Sequence, residues 1–377
     1  MSARRLIILS TAVVLTASAG AVFSAQATGD KAWDLLREIL MVPGISSQEK
    51  PAADWIQARL PKGVKVERDA KHNVWFTVGS GKPHILFVAH TDELGMTVEA
   101  ISPDGIVKLK GRGGFLPQAL EGRPFVIQTA KGPVEGIILP RPDYMERAPK
   151  PFAPAAYELF LGVSSEKEAR GLGVAEGQAV IYKKKIIDLT DEILAARAVD
   201  DRAGCAAVLA AVLELDLAAI KDRTVTFAWD VEEEIGLFGA TELSKVLKPD
   251  YVFAVDTFVS SDDPLDNRRF GYAPLGKGLV FRAMDSSNLV PKPELQNIIS
   301  LAERKGIPYQ VSNSRGGNDG SVFLAGGAVD IPLSWPGAHA HSFIEKIVKS
   351  DLRALTDLIK AIALEFTGLP GQIPLQK

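Results

Sequence analysis

The chain has 377 residues, 46% apolar and 24% charged, with 43 basic and 46 acidic side chains for a formal net charge of −3. That composition suits packed cores in about two domains and excludes a disordered chain. An acidic balance with no basic tract argues against nucleic acid as a partner, and the single cysteine, Cys205, excludes an internal disulfide.

Residues 1–27 read as a secretory signal peptide. Arg4 and Arg5 precede an apolar run from Leu6 to Phe23, and Ala25-Gln26-Ala27 supplies a small-x-small cleavage site. An uncleaved anchor is the alternative, since about 18 apolar residues approach the minimum for spanning a bilayer. Ser10, Thr11, Thr16, Ser18 and Gly20 dilute the run and favour cleavage. Removal of the leader leaves 41 basic against 46 acidic residues, a net of −5. The mature protein is then expected to be secreted or periplasmic, without stable membrane insertion. With no disulfide, it relies on core packing or bound metal for stability.

Helices are expected over Asp30–Leu40, with Trp33, Leu36 and Leu40 at helical spacing, and from a capping-box-like Ser46-Ser47-Gln48-Glu49 to about Leu60. Val64–Glu67 and Val74–Val78 read as strands around a polar turn. The continuous apolar run Ile85–Ala89 reads as a central strand. Between about Gly95 and Lys185, short β-like pieces alternate with Gly and Pro turns, and only Ser165–Leu172 suggests a helix. We expect a small β-rich domain (95–187) inserted into an α/β catalytic domain formed by 28–94 and 188–377. The proline-rich Arg141–Pro154 is expected to be an exposed loop of the insert.

Helix and strand then alternate again. Helices are expected at Asp201–Leu215, Gly236–Leu247, Pro293–Lys305 and Ser350–Phe366, and strands at Thr224–Trp229, Tyr251–Val255, Tyr309–Ser312 and Ile331–Trp335.

Chemistry concentrates where these strands end. Thr224–Trp229 runs into Asp230, Glu232, Glu233 and Glu234, at the carboxyl end of a buried strand, where open α/β sheets bind ligands. Crowded carboxylates repel unless a cation or a proton lies between them. A solvated acidic helix start, suited to the helix dipole, is the alternative for that stretch alone. Four further places offer metal-type ligands: His90-Thr91-Asp92, Asp200 in AVDDRAG, Asp256 ending YVFAVD, and His341 in HAHS. Asp92 can accept the ring N–H of His90 and turn the other ring nitrogen to a metal. Taken singly, Asp200 could be a helix cap, Asp256 a turn acid and each histidine structural. Cys205, in an alanine-rich helix, reads as a small buried apolar residue. Together the set suits a hydrolytic site of two metals about 3.5–4 Å apart, in which one carboxylate is shared and one acid stays free as a base. Zinc fits mixed nitrogen and oxygen ligation, with cobalt or manganese as alternatives.

At these residues the chain resembles the glutamyl (deblocking) aminopeptidases, the family of tetrahedral assemblies within the zinc exopeptidases. The matching motifs are HTDELG (90–95), AVDDRAG (198–204), EEIGLFGA (233–240), AVD (254–256), GGNDG (316–320) and HS (341–342), in family order. The 110 positions between His90 and Asp200 leave room for an inserted domain there, as in that family. The resemblance implies a three-layer α/β/α catalytic domain with a β-barrel or PDZ-like dimerisation insert. It further implies that Asp200 bridges two divalent ions, that His90 and Asp256 complete one, and that Glu234 and His341 complete the other. Asp92 would then orient His90, Glu233 would be the general base, and a water between the metals the nucleophile. The Asp200–Asp201 bond is expected to be cis. Departures include a third glutamate, Glu232, taken as the spare, and His339 as a rival to His341. Asn318 stands where the family commonly has Thr, on the substrate side.

The expected activity is aminopeptidase action on peptides with a free N-terminus, in a homo-oligomer between dimer and dodecamer. The nearest alternative is a carboxypeptidase, dipeptidase or N-acyl-amino-acid deacylase on the same metals. A non-catalytic scaffold is the alternative from another class.

Overall fold

Ile85–Ala89 lies at the centre of a nine-stranded mixed sheet in the computed structural model, which describes residues 30–115, 120–140, 145, 157–260 and 271–369. The leader, and the proline-rich segment apart from Met145, lie outside the described residues. No helix among the described residues is long and apolar enough to cross a membrane.

In chain order, α1 (Lys31–Ile39) and α2 (Lys50–Gln57) lead into β1 (Glu67–Arg68), β2 (Val74–Gly79) and β3 (His84–His90). Six strands follow: β4 (Gly95–Ile101), β5 (Val107–Arg112), β6 (Pro124–Thr129), β7 (Gly132–Ile138), β8 (Tyr157–Phe160) and β9 (Ala179–Tyr182), with α3 (Glu166–Gly171) before the last. β10 (Ile187–Asp188) and β11 (Ile193–Ala196) precede α4 (Val199–Glu214), β12 (Thr224–Asp230), α5 (Phe238–Val246) and β13 (Tyr251–Val259). Then come β14 (Leu279–Met284), α6 (Lys292–Lys305), β15 (Tyr309–Asn313), β16 (Val329–Asp330), β17 (Leu333–Gly337), β18 (Glu345–Val348) and α7 (Lys349–Glu365).

The main sheet runs β1-β2-β12-β3-β13-β17-β14-β15, with β16 beside β13. β12, β3, β13 and β17 are parallel, so their carboxyl ends share one edge. Both faces are covered, which is why these strands read as continuous apolar runs. On one face Phe76, Phe227, Phe87 and Phe253 stack in a row across four adjacent strands, with ring centroids 5.4–5.5 Å apart. Against that face packs α4, buried from Val199 to Val212 between the sheet, α1 and α7. Its alanines let helix and sheet approach closely. On the other face Leu86, Val88, Ala228 and Ala254 meet Ala240 and Leu243 of α5 and Phe323.

β4 to β9 form a closed barrel in the order β4-β5-β8-β7-β6-β9, around a core that includes Met96, Leu109, Phe125 and Val180. β8, four residues directly after the proline-rich segment, carried too short an alternation to read from sequence. β10, β11 and β18 make a separate antiparallel sheet in which Ala196 pairs with Glu345. Two local expectations fail. The strand expected over Val64–Glu67 forms only at Glu67–Arg68, beside β2. Ser46 and Glu49 form no capping box: Glu49 is the N-cap residue of α2 without a side-chain cap bond, and Ser46 donates instead to Asp92. A tertiary acceptor has taken the hydroxyl that the local pattern assigned to the helix.

Candidate metal centre

Strand register sets the first ligands level. Asp230 pairs with His90, and Ala89 with Val255, so His90, Asp230 and Asp256 stand side by side at the carboxyl edge. Asp200 enters from the start of α4, where residues 200 and 201 leave helical geometry and the bond between them is cis. Its side chain caps nothing; Asp201 instead accepts the N–H of Gly204 at 3.1 Å. His341 arrives on the loop between β17 and β18 with φ +63°.

Two groups of ligand atoms form, each with all members within 4.8 Å of one another: His90, Asp200 and Asp256, and Asp200, Glu234 and His341. Asp200 belongs to both. Its Oδ1 lies 3.4 Å from Nε2 of His90, and its Oδ2 3.7 Å from Nε2 of His341. His341 Nε2 is also 3.4 Å from Glu234 Oε2. Ligand bonds of about 2.0–2.1 Å in tetrahedral array place neighbouring ligand atoms about 3.3–3.5 Å apart. Asp200 Oδ1 is buried and makes no hydrogen bond, which suits an atom directed at a cation shared with His90. The donor set therefore fits two divalent ions, with one carboxylate between them.

The remaining expected residues flank these groups. Glu233 Oε2 is 4.0 Å from His90 Nε2 and outside both triads. Glu232 turns away to Ser47 and Lys71. His339 joins neither group. Cys205 is buried, its thiol against the carbonyl of His90 at 3.1 Å.

Asp92, fully buried, holds more than His90. Its Oδ1 is 3.4 Å from His90 Nδ1, and it accepts the backbone N–H groups of Glu233 and Glu234 and the hydroxyl of Ser46. Glu49, 1% exposed, accepts the N–H of Glu232. Arg282 donates to Asp256 at 2.9 Å. The barrel contributes too: His341 Nδ1 bonds the carbonyl of Gly114 at 3.0 Å, which turns Nε2 inward. Arg282 and Gly114 were not singled out from sequence, and Ser46 and Glu49 were read only as a helix cap. Arg282 was detectable as a charge inside the apolar run of β14.

Electrostatics point the same way. Burial raises Glu234 to about 8, with Asp200 adding to the rise. Burial also pushes Asp230 to about 8 and raises Glu233, Asp256 and Asp319. Asp200 and Asp92 are held low instead: the burial of Asp200 is outweighed by His90 and His341, and that of Asp92 by His90, the Ser46 hydroxyl and the Glu233 N–H. His90 is in turn raised, its burial outweighed by Asp200, Asp92 and Glu233. So many buried carboxyls keep their protons unless positive charge sits among them. The acidic stretch after β12 is not a solvated helix start, since the side chains of Glu233 and Glu234 are only 18% and 5% exposed.

A profile of the M42 glutamyl aminopeptidases matches residues 73–358. The chain is 29% identical over 311 residues to a glutamyl aminopeptidase of Lactococcus lactis subsp. cremoris, covering 79% of this chain and 85% of that protein. It is 27% identical over 344 residues to a lysyl aminopeptidase of Pyrococcus furiosus, covering 88% of this chain and 97% of that protein. In structure it is similar to the TET1 peptidase of Pyrococcus horikoshii, which can assemble into a tetrahedron or a large octahedral shell. The TM-score is 0.81 at 31% identity, over 89% of this chain and 99% of that one.

Proposed function

The chain belongs to the M42 glutamyl aminopeptidase family and is a metal-dependent aminopeptidase; we propose that it uses two divalent ions, zinc by preference, to release N-terminal residues from peptides. The observation that carries this reading is the placing of the two oxygens of Asp200 against two different histidines. His90, Asp200 and Asp256 would hold one ion, and Asp200, Glu234 and His341 the other. Bound there, the ions would supply Lewis acidity and a water acidic enough to ionise near pH 7.

The chain's own residues do the rest. Asp92 fixes the ring of His90 and the backbone of Glu233, so the carboxylate of Glu233 is held beside the ligands without being one. It takes a proton at an Oε atom from the attacking water and returns it to the departing amine. The unspent carboxylate charge of the site receives the free α-amine of the substrate, which makes the enzyme an exopeptidase.

The architecture we propose is a three-layer α/β/α catalytic domain of residues 28–94 and 188–377 carrying the barrel (95–187) as an insert. Association of copies through the barrel is supported by Ile137 and Phe160, cross-strand partners that are 50% and 42% exposed on its outer surface. The oligomeric assembly of the TET1 peptidase supports a homo-oligomer as well. We also propose export, on the leader read in residues 1–27; a mature N-terminus at Thr28 would support it, and an intact Met1 in the isolated protein would contradict it.

A screen of aminoacyl chromogenic substrates after chelation, with zinc, cobalt or manganese restored, tests the reading. Cleavage of free-amine substrates, restored by metal and absent with N-acetylated ones, is the expected result. Preference for N-acylated peptides, or for a free carboxyl end that C-amidation abolishes, would favour the deacylase or carboxypeptidase alternatives. Absence of bound metal and of uptake would favour a scaffold.

A further inference from the structure

The segments bearing Asp200 and His341 are joined outside the main sheet, by the short β11–β18 ladder. At its end Ala196 pairs with Glu345, which sets Arg197 and Glu345 side by side. They form an ion pair that is 3% and 1% exposed. The guanidinium of Arg197 also donates to the carbonyl of Ser342, next to His341, at 3.1 Å, and to that of Leu94, four residues after His90, at 3.3 Å. The second carboxylate oxygen of Glu345 accepts the backbone N–H of Asp200 at 2.9 Å. One buried pair thus touches the backbone of all three of these ligand-bearing segments. Arg197 lies 5.3 Å from the ring centroid of Tyr182, so the barrel wall bounds it as well.

Stability alone is a poor reason for such a pair, because desolvating two charges consumes much of what their attraction returns. Its contacts fall closer to one ligand group: they reach Asp200 itself and the neighbour of His341, but on the His90 side only Leu94, four residues from that ligand. Asp256 is held separately by Arg282, and His90 by Asp92. The His341 loop is held by Arg197 at the Ser342 carbonyl and by the Gly114 carbonyl at the His341 ring, and the N–H of Asp200 by Glu345.

We propose that Arg197 and Glu345 are positioning residues for the Asp200–Glu234–His341 ion, setting how far the His341 loop stands from the shared carboxylate. The proposal rests on the two-ion reading above. A lysine at 197 cannot reproduce the fork that serves two carbonyls and a carboxylate together. A glutamine at 345 must turn an NH2 group towards either Arg197 or the N–H of Asp200.

The test compares wild type, Arg197→Lys, Arg197→Met and Glu345→Gln as full chains loaded with zinc, then titrated with chelator, with bound metal per chain measured by mass spectrometry. Wild type is expected to hold two ions. The variants are expected to release one of them at about 10–100-fold lower chelator strength, the usual cost of losing an outer partner of a metal ligand, while the other, which shares only Asp200, is weakened less. Lysine should retain that ion better than methionine. Release curves matching wild type, or both ions weakened equally, would overturn the proposal. If the Arg197 variants do not fold, the near-isosteric Glu345→Gln decides by the same criterion. A wild-type chain holding fewer than two ions would instead overturn the two-ion reading, and the proposal with it.

Discussion

Asp92 accepts the backbone N–H of Glu233 at 3.1 Å, tying the strand that ends in His90 to the loop that carries the proposed base. Because the other oxygen accepts Ser46 and the N–H of Glu234, both oxygens act as acceptors. Asp92→Asn would present an NH2 group to donors on at least one side. We expect turnover to fall by about 10–100-fold together with weaker retention of metal, as for other outer partners of metal ligands. Steady-state rates and metal analysis of the same preparation check this. Full activity with full metal would reduce Asp92 to a packing residue.

Glu233→Gln separates the base from the ligands. Since Glu233 stands outside both triads, the variant should keep its metal and lose about 10²–10⁴-fold in kcat, the range for a single proton-transfer group. Unchanged turnover would remove Glu233 from that role.

Chelation should lower the melting temperature as well as abolish turnover. Without cations, the buried carboxyls of Asp200, Glu234 and Asp256 are left to repel or to hold protons. Metal supplied at 100 times its dissociation constant stabilises a fold by about 2.7 kcal/mol per site. Thermal unfolding with and without added zinc measures the difference; an unchanged melting temperature would show that the ions do not support the fold.

Stability should also depend on pH through a group that is not among the proposed ligands. Asp351, in the first turn of α7, accepts the N–H groups of Gly276 and Gly278, yet burial raises it to about 6. The folded state therefore holds this proton more tightly than the unfolded chain, whose aspartates titrate near 3.9. The contribution is complete below about pH 4 and is lost as pH rises to about 6, amounting to roughly 3 kcal/mol. Denaturant midpoints for wild type and Asp351→Asn should diverge across that interval. A constant difference at every pH would contradict the assignment.

Much of the site was legible because apolar strands stop abruptly at acids and histidines: Ile85–Ala89 at His90, Thr224–Trp229 at Asp230, Tyr251–Val255 at Asp256. Parallel register turns those chain positions into neighbours. What supports the ligands was less legible, since its partners are remote in sequence. Ser46 looked like a local helix cap and serves Asp92 instead. β11 and β18 are four residues each, too short for a periodic signal, so the neighbourhood of Arg197 and Glu345 emerged only from their pairing. Gly114 acts through its carbonyl, a group that every residue carries.

The proposed centre depends on one carboxylate serving two ions. Anomalous diffraction from crystals grown with zinc tests this directly. Two peaks per chain are expected, one beside His90 and one beside His341, each within about 2.0–2.2 Å of a different oxygen of Asp200. A single peak, or two peaks that do not share Asp200, would contradict it.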